Sequence, residues 1–183
     1  MDPRNGWRAT VGFDLGTPYL GGSNDYYKYN LDVIKYTPLP FDTRHSIRVR
    51  YGAAVGIDGH PIPLTERFFV GGINTMRGFV FGRAGPVTQF NSLLGAAEQL
   101  IFNNDFIFTI SSEAKLNGVI FFDYGKGFDD DESLSFSKLR KSAGLEGRWI
   151  SPFGPLRAAY GINLDPKPNE RKGVFEFTIG SLF

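Results

Sequence analysis

Apolar and polar side chains alternate with a period of two along most of this chain, and helical spacing is nearly absent. In Gly6–Gly16, Trp7, Ala9, Val11, Phe13 and Leu15 share one face, opposite Arg8, Thr10, Gly12 and Asp14. The same alternation predicts strands over about Asp25–Thr37, Arg44–Ile57, Asp105–Lys115, Val119–Gly127, Phe136–Ile150, Leu156–Asn163 and Gly173–Phe183. Gly21–Asn24 reads as a turn, and Leu116-Asn117-Gly118 as a tight hairpin. The result is one domain, residues 1–183, of eight strands joined as consecutive hairpins. Short connections at Pro38–Asp42, Leu116–Gly118 and Ser151–Pro155 alternate with longer ones at Gly16–Asn24, 58–104, Gly127–Ser135 and Asp165–Lys172. Short turns at one end and long loops at the other predict an all-β, antiparallel up-and-down transmembrane β-barrel.

Alternation alone does not say which face is inside. A soluble ligand-binding barrel would turn its apolar face inward, whereas an outer-membrane barrel inverts this. The apolar face carries Trp7, Phe13, Tyr27, Tyr29, Phe106, Phe108, Phe175 and Phe177. An eight-stranded interior is barely wide enough for ordinary side chains and could not hold them all. Further aromatics, Trp7, Tyr36, Trp149 and Phe183, fall near strand ends on the short-turn side, as in an interfacial girdle. The lipid bilayer is therefore the expected partner of this face.

Composition narrows the chemistry. Cysteine is absent and there are only two histidines, His45 and His60, which leaves no thiolate or histidine-cluster metal site. No metal or other cofactor is expected. The net charge of +1 gives no sign of a nucleic-acid partner. Val119-Ile120-Phe121-Phe122 is the longest apolar run, far short of a spanning helix. Met1-Asp2-Pro3-Arg4 opens no secretory signal, so a signal has been removed or the sequence is cut from a longer chain. Asp129-Asp130-Asp131-Glu132 has poor calcium-ligand spacing and reads as a solvated acidic loop.

The longest connection carries Val70-Gly71-Gly72-Ile73-Asn74-Thr75-Met76-Arg77-Gly78-Phe79 near its middle. Its glycines permit tight backbone, and Arg77 could reach a buried carboxylate with a bidentate fork. This Val-Gly-Gly…Arg-Gly-Phe segment resembles the sixth-loop motif of the outer-membrane assembly-factor superfamily of BamA-like proteins, with Met76 replacing the usual valine. Gly6-Trp7-Arg8, Tyr26-Tyr27-Lys28, Gly85-Pro86, Phe121-Phe122-Asp123-Tyr124-Gly125, Ser142-Ala143-Gly144 and Trp149–Leu156 are similar in order, so the resemblance covers nearly the whole chain.

The resemblance implies the C-terminal half, the last eight strands, of a sixteen-strand barrel. It implies that Arg77 folds into the lumen as a latch onto carboxylates at Glu113 and Asp123. It makes the terminal strand, with Phe175, Phe177, Ile179 and Phe183, one lip of a seam that templates incoming strands. The implied function is folding and insertion of outer-membrane proteins in the bacterial outer membrane, without covalent chemistry, so no enzyme. Reading Glu113 and Asp123 as a hydrolase pair finds no supporting cleft.

Two closures are expected alternatives: a small eight-stranded barrel, or self-association into a sixteen-strand dimer. In the small barrel the loop would be displaced, and Arg48, Arg50, Glu113, Arg140, Glu146, Arg148, Arg157 and Glu176 would form the interior network. In that form the chain would be a structural or engineered membrane barrel with no insertase activity.

Overall fold

In the computed structural model, residues 4–17, 25–90 and 92–180 are described. Eight antiparallel strands form a single sheet in chain order. They are β1 (Gly6–Gly16), β2 (Tyr26–Leu39), β3 (Thr43–Gly56), β4 (Glu98–Ser111), β5 (Leu116–Phe128), β6 (Arg140–Ser151), β7 (Gly154–Asn163) and β8 (Gly173–Ile179). β1 and β8 are the two edges, and the β1–β8 pairing that a closed eight-stranded barrel needs is absent among the described strands. Among the described strands the sheet is not closed, as in half of a sixteen-strand barrel, so the small closed barrel, the other expected alternative, is set aside. Gly21–Asn24 and Phe183 lie outside the described residues.

The register carries one row of inward residues across the sheet. Directly opposed residues share a face, and the row runs Thr10, Asp32, Arg50, Ile101 and Gly125. The next inward row runs Arg48, Asn103, Asp123, Ser142 and Asn163, and the one beyond it Asp105, Phe121, Gly144, Gly161 and Val174. The outward rows hold Val11, Phe13, Phe106, Ile120, Leu145, Tyr160, Phe175 and Phe177, all more than half exposed. The polarity is apolar-out and polar-in, opposite to a soluble carrier.

Strand boundaries differ from the sequence reading, most of all around β4 and at β6, which begins at Arg140 after a 3-10 turn at Phe136–Lys138. β4 begins at Glu98, so the long connection ends at Ala97. Gln99, Asn103 and Asn104 read as loop residues, yet the inward face of β4 is covered by the folded connection, which buries Ile101 and Asn103. The β4–β5 turn falls at residues 112–115, and Asn117-Gly118 lies within β5. Gly118 serves packing there: a Cβ would sit 2.3 Å from the ring of Phe108, its cross-strand partner. Tyr36 is also reassigned, because it is buried opposite Ser46 on the inward face instead of joining an outer girdle. Trp7 remains outward with the Lys35 ammonium 4.8 Å from its ring centroid.

The connection between β3 and β4 is folded. A short 3-10 turn at Leu64–Glu66 leads to a bridge between Phe68 and Ala96. Val70, Met76, Phe79 and Ala84 form a buried cluster with Ile101 of β4, so the motif segment lies on the concave face. Leu145, midway along β6 and 62% exposed, tests the outward assignment. Leu145→Arg is expected to cost about 2–4 kcal/mol in urea unfolding from lipid vesicles, the range for a cation near the bilayer midplane. A cost near zero would mean that this face does not meet hydrocarbon.

Candidate functional site

The motif segment owes its shape to glycine. Gly71 and Gly72 take φ of 126° and 99°, a region that side-chain-bearing residues rarely adopt. Their turn is closed by Thr75, whose hydroxyl accepts from the Gly71 N–H and donates to the Gly71 carbonyl, both at 2.8 Å. The Gly72 N–H faces the carbonyls of Met76 and Phe79 at 3.0 and 2.9 Å. Met76, where the related motif has valine, is fully buried in the cluster beneath. This folding leaves Arg77 aimed into the sheet.

Arg77 is 3% exposed and meets three carboxylates from three consecutive strands. Its Nε and Nη2 donate to Asp123 of β5 at 2.9 and 2.6 Å, and its backbone N–H adds a third bond at 3.0 Å. Nη2 also donates to Asp105 of β4 at 2.7 Å, and Nη1 to Glu146 of β6 at 2.6 Å. The guanidinium carbon lies 3.9 Å from the centroid of the Phe121 ring. Burial opposes the charge on Arg77, but Asp123, Asp105 and Glu146 outweigh it and hold the guanidinium well above its ordinary pKa.

Two further arginines complete the balance. Arg148 donates to Asp105 at 2.7 Å and to Glu146 at 2.9 Å, and Arg157 of β7 donates to Glu146 at 2.6 Å. Three arginines thus face three carboxylates, and the cluster crosses β4 to β7. Charge-assisted bonds of this density are what a buried ion network requires to offset desolvation.

The turn itself is held through its backbone. Arg50 of β3 donates to the carbonyls of Asn74 at 2.7 Å and Thr75 at 3.0 Å, and Asn103 Nδ2 donates to the same Thr75 carbonyl at 2.9 Å. These residues, with Tyr36, Ser46 and Arg48, line a cavity of about 340 Å³ beside the turn. At the outer end, Phe79 lies under Arg140, with 4.8 Å between guanidinium carbon and ring centroid. Arg140 in turn grips Glu170 through two bonds of 2.7 Å. Burial pushes the Glu170 carboxyl up, but the hydrogen bonds from Arg140 bring it below the ordinary glutamate value.

Of the two carboxylates expected to meet Arg77, Asp123 is at the site and Glu113 is not. Glu113 is exposed in the β4–β5 turn, because β4 ends two residues before it, at Ser111. Asp105 and Glu146 stand beside Asp123 instead. Alternation makes Asp105 the first residue of its strand and carries no sign that β4 continues seven residues further back, to Glu98. Glu146, Arg148 and Arg157 belonged to the expected interior network and are inward, but around a docked loop. Asp129 and Asp130 bind Arg67, and Glu132 binds Lys126 at 2.5 Å, so the acidic loop is laced by ion pairs. Among the described residues, no group of three or more metal-ligating side chains is placed to hold a metal ion.

The Omp85 superfamily domain matches residues 1–183. The chain is 33% identical over 175 residues to the outer membrane protein assembly factor BamA of Nitratidesulfovibrio vulgaris, covering 93% of this chain and 22% of that protein. It is 25% identical over 217 residues to BamA of Neisseria meningitidis serogroup B, covering 99% and 26%. The chain therefore spans about a quarter of the length of these curated relatives. The crystal structure of BamA from Haemophilus ducreyi lacking POTRA domains 1-3 superposes with a TM-score of 0.80 at 21% identity, over 98% of this chain and 39% of that one. At that identity the likeness is one of fold.

Removing the Arg77 side chain leaves Asp123 with no side-chain donor among the described bonds. Arg77→Ala is expected to destabilise the folded barrel by about 3–5 kcal/mol in denaturant unfolding, because buried carboxylates lose their partner. Glu113→Gln in the same assay should stay within about 0.5 kcal/mol, as for an exposed substitution. Equal effects of the two would refute the cluster. Gly161 of β7 gives a second handle, since a Cβ there would lie 2.4 Å from the Gly78 backbone nitrogen and 2.5 Å from its Cα. Gly161→Ala is expected to lift the motif off the sheet, costing about 1–3 kcal/mol and exposing the loop to protease; unchanged protection of residues 70–79 would contradict this contact.

Proposed function

Because this chain belongs to the Omp85 superfamily, we propose that it forms part of the barrel of a bacterial outer-membrane protein assembly factor, and that it helps to fold and insert other outer-membrane β-barrels. What supports this reading is a sheet that is apolar outside and locked inside by the docked motif, with β8 bonded to β7 alone among the described strands. An unpaired edge offers a row of free N–H and C=O groups, a template on which an incoming strand can add by β-augmentation. In lipid such an edge cannot stay open without cost, because no water is present to satisfy it. In this reading β8 exchanges between partners: the remaining strands of a sixteen-strand barrel at rest, and a client strand during insertion. A second copy of this chain is one source of those remaining strands.

No covalent step belongs to this reading. The carboxylates at the centre are saturated by Arg77, Arg148 and Arg157, which suits a structural latch and leaves no free general base. The work is mechanical: the latch holds the middle of the sheet while the edge strand β8 exchanges partners.

The test is client folding. The protein is reconstituted in lipid vesicles, and a urea-denatured outer-membrane barrel is diluted onto them. Faster appearance of protease-resistant client than with empty vesicles is expected, with the gain reduced by Arg77→Ala. Equal rates with and without the correctly folded protein would leave only a structural membrane barrel.

A further inference from the structure

The cavity of about 340 Å³ beside the motif turn carries an uneven charge. Its walls hold the guanidiniums of Arg48, Arg50, Arg77, Arg148 and Arg157, and Asp105 is the only carboxylate among them. The carboxylates bonded to these arginines are Asp32, Asp105, Asp123 and Glu146. Four carboxylates thus meet five guanidiniums, and the hydrogen bonds identify the one left over. Asp32 is occupied by Arg48, at 2.9 Å from Nε. Arg50 donates only to neutral oxygens: the Asn74 and Thr75 carbonyls and, at 2.8 Å, the side-chain oxygen of Asn103. Its Nε is buried with no partner. Glu176 lies beyond the turn, beside Gly72, with no ion pair to any of these arginines among the described residues.

The acceptors in the walls are occupied too. Both oxygens of Asp105 are bonded, to Arg77 and to Arg148, each at 2.7 Å. The carbonyls of Ile73, Asn74 and Thr75 each receive an arginine. Donors remain. Among the described residues, Nη1 of Arg48 and Nη1 of Arg148 make no hydrogen bond. Nor do the hydroxyls of the buried Tyr36 and Ser46, which oppose each other across β2 and β3. Water would satisfy the donors but would leave the surplus charge unmet.

We propose that this cavity is an oxyanion site, taking a small tetrahedral anion of the inorganic phosphate class between β3 and the motif turn. Arg50 provides the unmet charge, and Arg48, Arg148, Tyr36 and Ser46 provide the open donors. Guanidinium groups suit phosphate oxygens because their N–H donors are planar and fixed. The inner face is turned away from lipid, so the anion comes from solution. It completes a balance that strands and loop leave short by one charge, and by binding the folded form it stabilises the docked turn. The proposal stands apart from the insertase reading, because it rests on the inner face alone.

Equilibrium dialysis of radiolabelled inorganic phosphate against the folded protein in detergent micelles tests this. Sodium chloride holds the ionic strength at about 0.15 M, where attraction to surface charge is largely screened. Saturable uptake of one phosphate per chain is expected. Arg50→Gln should weaken binding about tenfold or more, the effect of losing a charged donor. Tyr36→Phe and Ser46→Ala leave the bonds of the motif turn in place and should each weaken it about threefold or more. Arg171→Gln, on the exposed connection between β7 and β8, should bind as the parent does. Uptake that does not saturate, or that falls as far with Arg171→Gln as with Arg50→Gln, means an adventitious ion only and overturns the proposal. Parent-like binding in both hydroxyl variants also overturns it, since a loss in Arg50→Gln would then reflect a shifted turn. If Arg50→Gln fails to fold, the hydroxyl variants and Arg171→Gln decide by the same criteria.

Discussion

The structure depends on a buried guanidinium. Arg77 enters the concave face of the sheet from a loop and is met by Asp105, Asp123 and Glu146, with Arg148 and Arg157 restoring neutrality. None of these charges is stable there alone. A lone carboxylate at the position of Asp123, which is fully buried, would face a desolvation penalty of several kcal/mol. Each strand's charge is therefore tolerated only because the loop is docked, and the loop is docked only because the strands converge on it. That mutual dependence links three neighbouring strands through one side chain, and Arg157 adds the fourth through Glu146.

The rest of the inner face is arranged around that contact. Gly78 and Gly161 let two backbones approach within van der Waals distance, so Arg77 reaches depth without displacing β7. Arg50 and Asn103 hold the Asn74–Thr75 turn by its carbonyls, which recognises the loop's path and not its side chains. Phe121 and Phe79 place aromatic faces under Arg77 and Arg140, contacts that strengthen in a desolvated setting. The outer face needs no such specificity. It has only to be apolar, and its exposed phenylalanines, leucines and isoleucines satisfy that requirement against lipid. The inner face is therefore the specific one, and the latch at its centre joins the strands that the outer face leaves interchangeable.

Much of this was legible in the chain. Period-two alternation located all eight strands, since a sheet with one apolar and one polar face imposes that period directly. The glycines around Arg77 marked an ordered loop, because paired glycines beside a single arginine and buried aromatics have little use in a solvated one. Asp123 was reachable as well, by resemblance and by its parity on β5. Glu113 was misread for a local reason: alternation does not reveal where a strand stops when its inward face is covered by a loop. The start of β4 is hidden on the same account, and with it Asp105, whose neighbour Asn103 looks like a turn residue until a folded loop covers it. Asn117-Gly118 looked like a hairpin, yet the glycine makes room for the Phe108 ring across the strands.

The sequence by itself determined the strand count, the antiparallel order, the two-faced sheet and the identity of the arginine motif, because each follows from local period or from residues close together in the chain. Only the tertiary structure decided which carboxylates receive Arg77, that β1 and β8 are not paired with each other among the described strands, and that Arg50 and Asn103 hold the Asn74–Thr75 turn by its carbonyls. Those contacts join residues far apart in sequence, and their partners are chosen by register and by the depth to which the loop packs. Both are set by the balance of burial and charge over the whole concave face, which no single segment of the chain encodes.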